Sequence, residues 1–197
     1  MNIVLHEPGI ALNTGNIGRT CVATHTALHL IKPYAFRISE KEIKRAGMDY
    51  WPKVELSEYL DYEDFMQRHP ELTGAYTELG SDEALNAGGS SDCGTYESET
   101  SAGVSRPRLW YATTKARHCY TDVSFGPDDY IMFGNESRGI PEEILAAHPE
   151  SCIRIPMWGD IRSLNLANSA AIILYEAMRQ NGFDKMKKYG ELHHLHW

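Results

Sequence analysis

Short, largely apolar runs separated by segments of helical pattern constrain this chain more than anything else in it. Ile3-Val4-Leu5 reads as a buried first strand, and Leu109-Trp110-Tyr111-Ala112, Tyr130-Ile131-Met132-Phe133 and Cys152-Ile153-Arg154-Ile155 as later ones. His29-Leu30-Ile31, ended by Lys32-Pro33, and Val54-Glu55-Leu56 suggest two more. Between them the pattern predicts helices from about Asn16 to Leu28 and from Tyr62 to Gln67. Ser39 and Glu42 resemble a capping box for a short helix ending near Gly47, and Pro141 suits the start of one reaching Ala147. Strands alternating with helices predict an α/β fold with a mainly parallel sheet flanked by helices. Ligands of such sheets sit beyond the carboxyl ends of the strands. The polar loops after Ala112, Phe133 and Ile155 are therefore candidates for one shared site.

The chain has 197 residues, enough for one domain with a real core. No stretch approaches the ~20 apolar residues that span a bilayer. The N-terminus carries no basic leader, so a cytoplasmic protein is expected. Cys21, Cys93, Cys119 and Cys152 are scattered without a Cys-x-x-Cys pair and read as reduced thiols. A net charge of -8 argues at first against nucleic acid, but its distribution does not. Residues 1–60 carry a net of +1, residues 61–106 a net of -8 and residues 107–197 a net of -1. The excess acid lies in the middle, where residues from about 80 to 106 are polar, Gly/Ser-rich and unable to bury enough surface to order themselves. The expected organisation is one domain over 1–183, interrupted by a disordered acidic insertion at about 80–106, with 184–197 as a tail. An RNA partner is compatible with these ends. Arg37, Lys41, Lys44 and Arg45 form a candidate basic strip for its backbone.

Three segments carry chemistry. Asn13-x-x-Asn16-x-x-Arg19 joins the first strand to the first helix, and a helix N-terminus there would suit an anion. An Asn-capped helix with a surface Arg is the plainer reading. Gly134-Asn135-Glu136-Ser137-Arg138-Gly139 follows a late strand and contains a carboxylate, so it is not a dinucleotide fingerprint. Its Glu could orient Arg138 or a neighbouring loop; a turn with a surface ion pair is the alternative. The third segment runs from Ile153 to Glu176 as a strand, a turn and a helix opening on Ser163, Asn165, Asn168 and Ser169 among Leu and Ala. Small neutral polar groups there suit tight packing and a neutral, hydrogen-bonded ligand. His193-His194-Leu195-His196 lacks an accompanying carboxylate or Cys cluster, so no metal is expected. Lys185, Lys187 and Lys188 read as solvated charges.

Taken in order, these three segments resemble the three motifs of the 2'-O-ribose branch of the SPOUT RNA methyltransferases. Tyr111-Ala112-Thr113-Thr114-Lys115 and Arg45-Ala46-Gly47-Met48-Asp49-Tyr50-Trp51 look like the TrmL type, which acts on the ribose of the wobble nucleotide. The resemblance covers residues 1–79 and 107–183. It implies a C-terminal deep trefoil knot, which periodicity could not have suggested. It also implies S-adenosylmethionine as cofactor, with Ala112, Gly134, Ile155, Ser163 and Leu164 lining its pocket. Ala112 stands where the family commonly has Leu, and Asn135 where it more often has Pro.

The implied substrate is the wobble cytidine or 5-carboxymethylaminomethyluridine in the anticodon stem-loop of leucine tRNAs, and the implied assembly is a homodimer with neither membrane nor DNA as partner. The implied catalytic set is Arg19, Asn13, Glu136, Ser163 and Asn165. Arg is always protonated, so Arg19 is expected to orient the 2'-hydroxyl and stabilise developing oxyanion charge rather than act as a base. Asn13 and Glu136 would hold Arg19 and its loop, with Ser163 and Asn165 near the target ribose. The rival readings are a methyltransferase for ribosomal RNA or another tRNA position, a non-catalytic RNA-binding protein of the same fold and, more distantly, a nicotinamide-dependent oxidoreductase.

Overall fold

The computed structural model describes residues 1–34, 36, 49–73 and 106–195. Seven strands form one sheet in the order β3-β2-β1-β6-β4-β7-β5, and every neighbouring pair is parallel. The strands are β1 (Asn2–His6), β2 (Ala27–Ile31), β3 (Leu56–Tyr59), β4 (Leu109–Ala112), β5 (His118–Cys119), β6 (Tyr130–Phe133) and β7 (Cys152–Arg154). The helices are α1 (Ala11–Thr24), α2 (Tyr62–Arg68), α3 (Glu142–Ala147) and α4 (Leu166–Gln180).

The apolar runs are buried on both faces, as a sheet covered on two sides requires. Along β1, Ile3 and Leu5 join the cluster under α1 and α4, while Val4 joins the cluster under α2 and α3. Along β6, Ile131 and Phe133 point to the first layer and Tyr130 and Met132 to the second. Small residues let α1 lie close to its neighbours. A Cβ added to Gly18 would sit 2.6 Å from the Trp51 ring, so Trp51 packs directly over that backbone.

The strands β4 and β6 have the bounds their apolar residues predict. Other boundaries differ. The first helix begins at Ala11, five residues before the expected Asn16, and stops at Thr24, where His25 turns left-handed with φ 53°. Ala27 and Leu28 then belong to β2. Strand β3 begins at Leu56 rather than Val54, because a 3-10 turn occupies Trp51–Lys53 and the strand is set by pairing Leu28 with Leu56. The two-residue edge strand β5 has no counterpart in the expected pattern; it exists by pairing with β7. Helix α4 opens at Leu166, not Ser163. The Asn165 side chain caps it by accepting from the N–H groups of Ala167 (2.9 Å) and Asn168 (3.2 Å). The expected helix over 39–47, the basic strip at Arg37, Lys41, Lys44 and Arg45, and nearly all of the 80–106 insertion lie outside the described residues. No described helix is long and apolar enough to cross a membrane.

Candidate active site

The loops that leave β4, β6 and β7 converge beyond the carboxyl ends of the sheet, where they enclose a cavity of about 720 Å³ together with the start of α1. Ala112, Gly134, Ile155, Ser163 and Leu164 line it, and so do Asn13, Glu136 and Asn165. Sequence positions more than 150 apart are thus brought together at one sheet edge.

A hydrogen-bond chain runs through this edge. The Glu136 carboxylate accepts from the backbone N–H of Gly9 (2.8 Å) and of Ile10 (3.2 Å), and from Asn13 Nδ2 (2.9 Å). Asn13 Oδ1 in turn accepts from Asn165 Nδ2 at 3.0 Å. Glu136 therefore anchors the chain where it enters α1, at the N-cap Ile10 and the residue before it. The Ile10 side chain is unable to bond, and the free N–H groups and positive end of the helix favour a carboxylate. The carboxylate at this helix start is the chain's own, supplied by Glu136.

Asn135 and Glu7 reinforce the same junction, and neither stood out among the candidate site residues. Asn135 Nδ2 donates to the Glu7 carbonyl oxygen at 2.8 Å, while its Oδ1 accepts from the N–H groups of Ser137 (2.9 Å) and Arg138 (3.2 Å). Glu7 holds a left-handed backbone, with φ 52°, and its carboxylate accepts from Arg138 Nη2 at 2.7 Å. The Asn that replaces the family's usual Pro is thus a working part of the loop. An Asn with both amide ends available for turn formation was the signal in the sequence. Gly134 makes the loop possible in another way. A Cβ there would lie 2.1 Å from the carbonyl carbon of Gly139 and 2.2 Å from the nitrogen of Ile140, so bare backbone crosses backbone.

Arg19 stands apart. It is exposed, about two turns along α1 from Asn13, and does not line the cavity. Its guanidinium lies 4.7 Å over the Tyr50 ring, and Tyr50 is anchored by donating its hydroxyl to the Gly15 carbonyl oxygen at 2.8 Å. Among the described residues, Asn13 and Glu136 bond to each other and to the 9–10 backbone. They do not hold Arg19, which corrects the expected arrangement. Ser163 is exposed at the cavity, and its hydroxyl has no hydrogen-bond partner among the described residues. The cations Lys115, Arg138 and Arg162 also line the cavity; the first pairs with Glu142 and the second with Glu7. No group of His, Cys, Asp and Glu among the described residues is placed to hold a metal ion.

The fold and the sequence have counterparts. The SpoU methyltransferase AviRb from Streptomyces viridochromogenes, solved in complex with AdoMet, shares the fold with a TM-score of 0.66 at 19% identity, over 93% of this chain and 61% of that one. A structure described as giving insights into the 2-OH methylation of C/U34 on tRNA is 33% identical, with a TM-score of 0.70 over 92% of this chain and 96% of its own. The Escherichia coli protein named tRNA (cytidine(34)-2'-O)-methyltransferase is 38% identical over 184 residues, 93% of this chain and 95% of that protein. The model of the SpoU rRNA Methylase family matches residues 1–87 and 98–175, breaking only inside the acidic segment. With that match spanning most of its length, the three motif loops included, the chain belongs to the SpoU rRNA Methylase family.

Proposed function

We propose that this chain is an S-adenosylmethionine-dependent methyltransferase acting on the ribose 2'-hydroxyl of nucleotide 34, cytidine or a modified uridine, in tRNA. The observation that carries the reading is the single cavity formed by the three motif loops. Its junction is the Glu136–Asn13–Asn165 chain, in a sequence 38% identical to a protein named for that reaction. The residues present fit the cofactor. The cavity volume falls within the roughly 300–1,000 Å³ of small-molecule sites. Aliphatic Ile155 and Leu164 line it together with the hydroxyl-bearing Thr113 and Ser163.

S-adenosylmethionine, when bound, supplies an electrophilic methyl group, so the chain's own task is to position the acceptor oxygen and accommodate its proton. Glu136 holds the start of α1, and Asn165 ties the start of α4 to it. Asn165 keeps one amide N–H for a ligand, since its Oδ1 and its other N–H are engaged. Ser163 offers a hydroxyl to the target ribose. Arg19 orients the 2'-hydroxyl and stabilises the charge that develops on it.

Arg19 does not line the cavity of its own chain, so this role is served by a homodimer or by RNA lying across α1. Leu12 on α1 and Ile172 and Tyr175 on α4 are exposed apolar side chains that favour the dimer. The same reading includes the C-terminal trefoil knot, the 1–183 domain with its acidic insertion, recognition of the anticodon stem-loop of leucine tRNAs, and a cytoplasmic location. Incubating the protein with total RNA, tRNA and ribosomal RNA together, and labelled S-adenosylmethionine, then mapping ribose methylation, tests it. Methyl groups at position 34 are expected, and labelling of ribosomal RNA alone would overturn the tRNA assignment.

A further inference from the structure

We propose that Trp158 is a stacking platform for a nucleobase of the RNA substrate, positioning the strand beside the cavity; this rests on the function proposed above. Trp158 is 95% exposed, whereas Trp51 and Trp110 are 8% and 5% exposed and serve the core. It sits on the loop between β7 and α4. Met157 on one side of it and Arg162 on the other both line the cavity, so the indole stands at the rim. Gly159 turns the chain directly after it with φ 67°, a conformation a side chain would resist.

A ribose presented to the cavity leaves its own base and the neighbouring bases outside, at the level of that rim. An indole face offers every base the same π surface, and base–aromatic stacking is a main source of affinity for unpaired strands. The surrounding charge favours RNA over an apolar protein surface. Arg162 has no ion-pair partner among the described residues, and Asp160 is the one carboxylate on its loop; Lys115 and Arg138 also line the cavity, each paired with a carboxylate, Glu142 and Glu7. Arg162, four residues after Trp158, suits a phosphate of the strand whose base covers the indole.

Steady-state methyl transfer to unmodified tRNA transcripts tests this in the full chain, with Trp158→Ala, Trp158→Phe and Trp158→Leu compared. Trp158→Ala should raise KM for tRNA roughly tenfold or more while kcat changes by less than about threefold. S-adenosylmethionine affinity and molar mass in solution should be unchanged. Phe should restore most of the loss and Leu little, and transcripts with C or U at position 34 should suffer alike, because stacking does not read base edges. An unchanged KM in Trp158→Ala, or equal rescue by Leu and Phe, would overturn the inference. So would a fall in molar mass with the rise in KM, since that assigns Trp158 to a contact between subunits. A wild-type chain that methylates no RNA would instead overturn the function itself, and this inference with it.

Discussion

Asn13 donates to Glu136 at 2.9 Å across 123 residues of sequence, and this bond fixes which way the Asn13 amide faces. Its nitrogen must point to the carboxylate, so its oxygen points to Asn165. The start of α1, the loop after β6 and the start of α4 are thereby aligned through one amide.

Replacing Glu136 by Gln tests that alignment. Three N–H groups converge on the carboxylate. An amide of the same shape offers one acceptor and turns a donor toward donors. Because the Gly9 and Ile10 bonds are at the surface, we expect a loss of about 1–2 kcal/mol, at the low end for charged hydrogen bonds. Turnover should fall as well. Urea unfolding checks the first through a lower midpoint at unchanged slope; an unchanged midpoint would deny Glu136 its anchoring role.

Asn165 has two jobs that substitution separates. Asn165→Ala removes the α4 cap and should cost about 1 kcal/mol. Asn165→Asp keeps an acceptor for Ala167 and Asn168 at a helix start that favours negative charge, so stability should return. The Asp carboxylate faces Asn13 Oδ1, however, and has no proton to donate. Both variants should therefore lose turnover, and an active Asn165→Asp would show that the bond to Asn13 is dispensable.

Gly134→Ala should be more damaging than its single methyl suggests. The added carbon meets backbone atoms at 2.1 and 2.2 Å, which cannot rotate aside. Relief requires moving Gly139 and Ile140, and with them the cavity wall. We expect a loss of about 2 kcal/mol or more in thermal unfolding and weakened S-adenosylmethionine binding by calorimetry. A normal melting temperature with normal binding would refute the crossing.

Arg19→Ala should behave in the opposite way. The side chain is exposed and stacks only on Tyr50 among the described residues. Stability and cofactor affinity should stay near the wild-type level while turnover disappears. Unchanged methylation would remove Arg19 from the mechanism.

Acid sensitivity should arise far from the cavity, at His29. The ring is buried in the layer under α2, 2.8 Å from the Tyr59 hydroxyl and 3.3 Å from Asn2 Oδ1. Burial, and secondarily the neighbouring His69, lower its pKa to about 4. The folded state thus refuses a proton that the unfolded state accepts below about 6.5, so stability falls as pH drops from about 6.5 to about 4. The contribution is about 3 kcal/mol. His6, also lowered by burial, acts in the same direction. Denaturation midpoints measured across that range should fall, and more steeply than in a His29→Gln variant.

Apolar strands were readable from their residues because burial on two faces demands continuous hydrophobicity, as in Leu109–Ala112 and Tyr130–Phe133. Edge strands were read poorly: the third was expected at Val54–Leu56 and the edge strand β5 not at all. Leu56–Tyr59 is largely exposed and His118–Cys119 is two residues long, so pairing rather than composition defines them. All five residues proposed for the cofactor pocket line the one cavity, because each lies at or beyond the carboxyl end of a strand. Of the two roles of Asn135, the local Asx turn was signalled by the residue type, whereas its bond to the carbonyl of Glu7 was not legible, because it depends on a loop from the other end of the chain.

The sequence by itself determined the alternation of strand and helix, the parallel sheet and the three loops from which a site is built, all consequences of local periodicity and turn chemistry. Only the tertiary structure decided where α1 begins and what satisfies it. The N-cap Ile10 makes no side-chain cap bond, and Glu136 from 126 residues away accepts its N–H instead. It also separated Arg19 from the residues it was expected to join. Helix geometry carries Arg19 along α1 to Tyr50, while the carboxylate meant for it is bound to backbone N–H groups that had no other partner.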